Sequence, residues 1–149
     1  MQLDLLLLLN LISTSVLVGV ILVIHFVHYK TFIFIDKSYF EEFHISHIKS
    51  ISYIVVPLML VEIIVAFFLF VDIQMGMSFE EWHRVLILVN LICVISVWAV
   101  TFFLCVPAHN ELSSGKNNAL IFKLIEANKA RVILWAVKLV VSIILCINF

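Results

Sequence analysis

The chain is poor in the residues that keep a protein surface in water. Only 13% of its 149 residues are charged and 64% are hydrophobic, whereas a soluble domain has about 25% charged and about half apolar residues. Its mean hydropathy is +1.22. The composition excludes an ordinary soluble domain and predicts a protein embedded in lipid.

The sequence also lacks several signatures of known chemistry. Cys93, Cys105 and Cys146 form no C-x-x-C pair and fall in or at the ends of apolar stretches, so they are interpreted as packing residues rather than redox thiols. There is no Walker loop, Gly-x-Gly-x-x-Gly turn or nucleophile elbow. Nothing in the sequence supports nucleic-acid binding.

What the chain does have is four apolar stretches, each close to the length of helix needed to cross a bilayer, about 20 residues. They are Leu5–Phe26, Ile48–Val71, Val85–Val106 and Val132–Ile147. None alternates apolar and polar residues as a membrane β-strand does. We therefore predict an all-α fold, a single domain over 1–149, with four transmembrane helices in an antiparallel bundle.

Local chemistry sharpens the helix limits, which we predict at about 4–28, 39–71, 79–106 and 119–148. Capping boxes beginning at Ser38 and Ser78 favour the starts of helices two and three. Pro57 predicts a kink, and Pro107 predicts the end of helix three. The first span has no basic n-region or small-residue cleavage site, so we expect it to stay in the mature protein.

Lysine and arginine counts predict the orientation. Seven of these residues lie in or beside loops one and three: Lys30, Lys37, Lys49, Lys116, Lys123, Lys129 and Arg131. The opposite side has Arg84 alone. Positive residues stay in the cytoplasm, so both termini are expected outside, and a bacterial inner membrane is the expected location.

Polar residues recur at helical spacing inside the apolar stretches. Asn128, Arg131, Trp135, Lys138 and Ser142 follow steps of three and four in helix four. Glu62 is a matching charge in helix two. An unpaired charge near the bilayer centre costs about 2.5 to 3.5 kcal/mol on insertion scales, so we predict that Glu62 and Lys138 pair, either as a structural link or as part of a proton or substrate path.

Histidines form the most suggestive pattern. His25 and His28 close helix one, His44 and His47 open helix two, and His109 follows helix three, all on the predicted cytoplasmic side. Two His-x-x-His pairs and a fifth imidazole suit iron, copper or haem. The alternatives are a metal-free acid–base or substrate-binding role, or histidines that merely sit at the membrane interface.

Aromatic side chains surround these histidines. Loop one contains Tyr29, Phe32, Phe34, Tyr39, Phe40 and Phe43. They favour a lipophilic small molecule as a partner beside the lipid bilayer, although an aromatic belt at the headgroups explains most such rings.

Two short motifs resemble a known family. Val106-Pro107-Ala108-His109-Asn110-Glu111-Leu112, followed by Asn128-Lys129-Ala130-Arg131, is similar to the small four-helix membrane family of unknown function that includes the fungal anthrone oxygenases. The resemblance implies a four-helix transmembrane bundle and makes Asn110, Asn128 and Arg131 site or structural residues. The histidine pairs of this chain, His25 with His28 and His44 with His47, have no clear counterpart in the pattern of that family.

Two functions remain open from the sequence. The first is a membrane oxidoreductase or oxygenase that acts on a lipophilic substrate, with His109, Asn110, Asn128 and Arg131 as its catalytic set and the five histidines as metal ligands or acid–base groups. The second is a non-enzymatic metal or haem carrier, a small transporter or an assembly subunit. An enzyme predicts a cavity open on one side and a transporter predicts a path through the membrane. The sequence allows an oligomer in either case.

Overall fold

The computed structural model describes residues 3–75 and 80–148, and these form four long helices. They are α1 (Leu3–Thr31), α2 (Lys37–Met75), α3 (Glu81–Leu112) and α4 (Asn118–Asn148). Each is long and apolar enough to cross a membrane, and the described residues contain no strand. The predicted all-α bundle of four membrane helices is confirmed.

The helices pack as a ring in chain order. α1 contacts α2 and α4, and α3 contacts the same two helices on the other side. Large apolar side chains on the outer faces stay exposed, as they do when lipid covers them; Phe103 and Ile147, for example, are each more than three-quarters exposed. The polar stripes therefore turn inward, where Asn128, Trp135 and Lys138 are fully buried.

The interior has three layers along the bundle axis. One apolar layer includes Leu6, Leu69 and Leu145, and another includes Phe32, Phe40 and other rings and aliphatic chains. The buried polar residues Glu62 and Lys138 lie in the layer between them. Apolar packing on both sides keeps water from these two charges.

The start of α2 differs from the predicted capping box. The helix begins at Lys37, and the Asp36 carboxylate accepts hydrogen bonds from the Ser38 hydroxyl at 2.6 Å and the Ser38 backbone N–H at 2.8 Å. These two donors hold the pKa of Asp36 below its usual range. Asp36, not Ser38, thus caps the helix. The capping box predicted at Ser78 lies outside the described residues.

The predicted end of α3 at Pro107 is wrong. The helix passes through Pro107 and continues to Leu112, because the turn before it, Thr101–Cys105, is π-helical. There the Val106 N–H bonds to the Thr101 carbonyl, five residues back. A proline has no N–H and its ring crowds the carbonyl four residues earlier, so a wider turn before it lets the helix continue.

A second π-helical turn, Ile24–His28, interrupts α1 near the same end of the bundle. After this turn α1 continues to Thr31, three residues beyond the predicted limit at 28. α2 also runs without a break through Pro57, and the kink expected there stays a prediction.

The two loops at this end are tied together. The Lys116 ammonium donates hydrogen bonds to the carbonyls of Ile33 at 2.7 Å and Ile35 at 2.6 Å. Gly115 precedes it with φ of +139°, a backbone conformation that glycine adopts readily. The tie fixes the loop before α4 against the loop after α1.

Candidate functional site

The structure brings all the predicted site residues of the histidine pattern to one end of the bundle, which we call the histidine end. His25 and His28 come from α1, His44 and His47 from α2, and His109 from α3. α4 contributes the predicted residues Asn128 and Arg131, both buried. The His47 ring centroid lies 4.3 Å from that of His28, 6.1 Å from that of His109 and 6.5 Å from that of His44. By the contacts of their nitrogen atoms, the five imidazoles nevertheless divide into separate groups.

The first group is a hydrogen-bonded chain across three helices. The Tyr29 hydroxyl lies 3.0 Å from His109 Nε2, and His109 Nδ1 lies 3.1 Å from His44 Nε2. His44 Nδ1 lies 3.3 Å from the Ser113 hydroxyl. Both ring nitrogens of His44 and of His109 are therefore engaged, and the four side chains form one continuous line of proton donors and acceptors.

The second group is a stacked pair. The rings of His28 and His47 lie 4.3 Å apart, centroid to centroid, at an interplanar angle of 29°. The Nε2 atoms of both are buried without a hydrogen-bond partner. Parallel stacking places the faces of the rings, rather than their nitrogens, against each other.

His25 belongs to neither group. Its Nδ1 lies 3.4 Å from Asn128 Nδ2, which places this imidazole against α4. Within the described part of the chain, no three His, Cys, Asp or Glu side chains are arranged to hold a metal ion. The iron, copper or haem site that the sequence suggested therefore stays a prediction.

Arg131 is the charged member of the site. Its Nη1 donates to Asn128 Oδ1 at 3.3 Å, its Nη2 faces the Met59 sulfur at 3.9 Å, and its guanidinium carbon lies 5.0 Å from the ring centroid of Trp135. Only 5% of its surface is exposed. Asn128 thus orients both a histidine and the arginine.

A cavity of about 170 Å³ lies between α2 and α3 and reaches these groups. We call it the α2–α3 cavity. Its polar lining includes Tyr29, His109, Asn110 and Arg131. The rest of its wall is mostly aliphatic and includes Ile51, Val55, Val56, Met59 and Val106. Both π-helical turns contribute to it, through Ile24 on α1 and through Thr101 and Cys105 on α3.

A second cavity, of about 310 Å³, lies between α1 and α2 and is lined by His28 and His47 together with Phe43 and Ser50. Both cavities described here are therefore at the histidine end. The aromatic loop predicted to surround the histidines contributes Phe32 and Phe40, which pack edge-on to each other at 6.0 Å as core residues.

The predicted partners Glu62 and Lys138 are in contact deeper in the bundle, with Lys138 Nζ 3.2 Å from Glu62 Oε1 and both side chains fully buried. Lys138 also donates to Asn10 Oδ1 at 2.9 Å. Glu62 accepts from Trp135 Nε1 at 3.1 Å and from the Thr14 hydroxyl at 3.2 Å. Every polar atom of the pair thus has a partner.

The polar layer extends to α3 through Ser142. Its hydroxyl accepts hydrogen bonds from Asn10 Nδ2 at 2.9 Å and Asn90 Nδ2 at 3.2 Å, and donates to the Lys138 carbonyl at 2.8 Å. All four helices therefore share one network of buried polar side chains, which we call the central polar network.

Tyr29 and Ser113 are the site residues that sequence reasoning missed. Tyr29 was interpreted as one of the loop aromatics, yet it belongs to α1 and is 3% exposed. A tyrosine directly after His28 and a serine four residues after His109 were the available signals. Neither signal predicts that the side chains of Tyr29 and Ser113 are hydrogen-bonded to His109 and His44.

Comparisons with protein-family models, with curated proteins and with solved structures find no match to this chain. The resemblance to the family of the anthrone oxygenases therefore stays a prediction. The function has to be argued from the geometry of the histidine end.

Proposed function

We propose that this chain is an integral membrane oxidoreductase, of the oxygenase kind, that binds a lipophilic substrate in the α2–α3 cavity and removes protons from it through His109. The hydrogen-bonded chain of Tyr29, His109, His44 and Ser113 carries this proposal. It begins at the cavity wall and ends at the loop after α3. Dioxygen is the oxidant in this proposal: a quinol and dioxygen give a quinone and hydrogen peroxide, and an activated methylene group and dioxygen give a carbonyl and water. The protons that leave the substrate are taken up by the reduced oxygen, so a site surrounded by lipid needs groups that hold these protons and pass them on.

The cavity wall supports entry from the bilayer. Val56 and Val106 line the cavity and are also 45% and 38% exposed on the outer surface of the bundle. A substrate dissolved in lipid reaches the cavity between α2 and α3 without crossing water. Ligand sites are typically apolar with a few placed polar groups, and this cavity has that composition.

Histidine roles follow from which nitrogens are engaged. Both ring nitrogens of His109 and of His44 take part in the hydrogen-bonded chain from Tyr29 to Ser113, so we assign these two histidines to proton transfer. Asn110 lines the cavity and Asn128 orients Arg131, as binding or positioning residues. The proposal gives no role to a metal held by three or more ligands, because no three His, Cys, Asp or Glu side chains of the described residues are arranged to hold one.

A proton or ion carrier is the second candidate. The observation that favours it is a link from the histidine end to the central polar network: Arg131 lies over the Trp135 ring, and Trp135 donates to Glu62. A carrier would move protons across proteoliposomes without substrate, whereas the proposed enzyme would not. A pH-sensitive dye inside the vesicles separates the two.

The cavity is tested by filling it. Val55 is buried and lines the cavity, and Val61 lies further along the same helix, exposed and outside both cavities. Protein in lipid nanodiscs is supplied with anthrone or a long-chain quinol, and oxygen uptake and product absorbance are followed. We expect Val55→Trp to abolish turnover and the matched Val61→Trp to retain it. Uptake equal to that of empty nanodiscs with both substrates would sink the enzymatic proposal.

The proton chain is tested at its first member. Tyr29→Phe keeps the ring but removes the hydroxyl next to His109. Because general acid–base groups contribute about 100-fold or more, we expect turnover to fall by about that factor while substrate binding changes little. The matched control is Tyr39→Phe on the exposed surface. Equal turnover in the Tyr29 variant and the wild type would show that the chain does not carry the proton.

A further inference from the structure

Arg131 is a buried cation without a counter-ion. Within residues 3–75 and 80–148, the ion pairs join other residues, and Arg131 has none. The buried charges of the central polar network, Glu62 and Lys138, are paired with each other. A buried charge is normally paired, because removing it from water is costly.

The guanidinium also has unused donor capacity. Arginine carries five N–H groups. Asn128 takes one of them at 3.3 Å, the Met59 sulfur is a weak acceptor at 3.9 Å, and Nε is buried without a partner. Neutral neighbours thus hold the group in place without neutralising it.

The unpaired cation faces the α2–α3 cavity. Arg131 lines it beside His109, while Val55, Val56 and Met59 form the apolar wall. With about 170 Å³, the cavity has room for a compact head group. Val56 lines the cavity and is also exposed on the outer surface, so an apolar tail can lie beside it toward lipid. The α2–α3 cavity thus combines an apolar wall with the single positive charge of Arg131. This arrangement is complementary to an amphiphile that carries one negative charge at one end.

We propose that the ligand of this cavity is a lipophilic anion with a single compact oxyanion, either a phenolate or enolate on a ring system or the carboxylate of a fatty acid, and that Arg131 is its counter-ion. With a ring ligand this deepens the proposed function by naming its substrate class, and it rests on that proposal for the cavity; a fatty acid would occupy the same cavity as a ligand that is not oxidised. Arg131 stabilises the enolate or phenolate, and this anion, rather than its neutral acid, is the form in which a ring substrate passes electrons to dioxygen, which is reduced to hydrogen peroxide or water.

The test compares charged and neutral forms of the same molecule. Anthraquinone-2-carboxylate and its amide, and decanoate and its amide, are dialysed against the protein in nanodiscs, with empty nanodiscs subtracted. Because a hydrogen bond to a charged group adds about 10-fold to 100-fold in affinity, we expect the wild type to prefer at least one anion over its amide by that factor. A preference for anthraquinone-2-carboxylate over its amide indicates a ring ligand, and a preference for decanoate over its amide indicates a fatty acid.

Two variants remove the unpaired charge in different ways. Arg131→Met deletes it, and Asn128→Asp supplies a carboxylate at the position that already contacts Nη1. Both should erase the preference for the anion. Asn128→Asp should also raise the melting temperature of the ligand-free protein, because it gives Arg131 a counter-ion. If Arg131→Met fails to fold, Asn128→Asp therefore still tests whether the unpaired charge is needed for anion binding. The matched control is Lys129→Met, which removes an exposed cation of the same helix and should keep the preference.

The outcomes separate this inference from the proposed function. If the amides bind as tightly as the anions and Val55→Trp blocks both, the cavity stands and the anion assignment is overturned. If the preference persists in Arg131→Met and Asn128→Asp, Arg131 is not the counter-ion. If none of the four molecules binds above empty nanodiscs, both the anion assignment and the cavity fail.

Discussion

Lys138 shows how a single charged residue is kept in the middle of a membrane bundle. Its ammonium has three donors, and the structure provides Glu62, Asn10 and Thr14 as three acceptors. The Glu62 carboxylate is in turn held by Trp135. Because no donor or acceptor of the pair is left over, the charges are tolerated where either alone would be costly.

Breaking this pair from one side should be strongly destabilising. Lys138→Met leaves Glu62 as a buried, unpaired carboxylate, and loss of one partner of a buried pair costs about 3 to 5 kcal/mol. The double variant Glu62→Leu with Lys138→Met leaves no charge and should recover part of this loss. The free energy of unfolding is measured by denaturant titration in mixed micelles.

Lys123→Met, on the exposed face of the same helix, is the control and should change stability little. A double variant as unstable as Lys138→Met would contradict the argument, because it would place the cost in lost hydrogen bonds rather than in the unpaired charge.

At the same scale, spacing alone identified the buried polar residues of α4. Steps of three and four placed Asn128, Arg131, Lys138 and Ser142 on one face of α4, and the structure buries that face. Spacing did not predict which histidine side chains contact one another. Whether histidines converge on one point or stack in pairs depends on the rotation of each helix about its axis, and the π-helical turns alter that rotation locally.

At the scale of the element, the π-helical turns are the feature that sequence reasoning missed. Pro107 has the properties of a helix stop, and the prediction of an end there followed from them. The wide turn at Thr101–Cys105 instead lets α3 pass the proline and turns Thr101 and Cys105 toward the cavity. Such turns occur frequently at functional sites, and both turns of this chain border the same cavity.

Deleting one residue of the turn tests its link to Pro107. A π-helical turn is one residue longer than an α-helical one, so removal of the lipid-exposed Phe103 should make α3 a regular helix and leave Pro107 clashing with the carbonyl four residues back. We expect the deletion to destabilise the protein by about 3 kcal/mol. Combining it with Pro107→Ala should restore most of the stability, as measured by thermal unfolding in nanodiscs. Equal losses in the two variants would mean that the turn does not serve the proline.

At the scale of the whole molecule, apolar composition and four long stretches were sufficient to predict the bundle. The three-layer interior was not predictable to the same degree, because it requires knowing which helices are neighbours. The short loops favour a ring in chain order, and this ring is what brings Glu62 of α2 to Lys138 of α4 across the interior.

Orientation is the remaining property of the whole molecule that the sequence predicts. Seven Lys and Arg residues lie at the histidine end, so the positive-inside rule predicts that this end is cytoplasmic. Single cysteines are introduced by Ser114→Cys at that end and Glu81→Cys at the other, and intact cells are treated with a membrane-impermeant maleimide. We expect labelling of the Glu81 variant alone. The unmodified chain, with two buried cysteines and a third half-buried, is the control, and the reverse pattern would invert the topology.

The central polar network also constrains how the protein is made. Helices leave the ribosome in chain order, at about 5 to 20 residues per second, so Glu62 reaches the membrane while Lys138 has yet to be synthesised. For several seconds the nascent chain holds Glu62 without its ion-pair partner. The arrival of α4 ends this wait, since it brings Lys138, Trp135 and Ser142 together. The ion pair thus requires the complete bundle: a chain cut short before α4 lacks Lys138 and keeps the Glu62 carboxyl group without its partner.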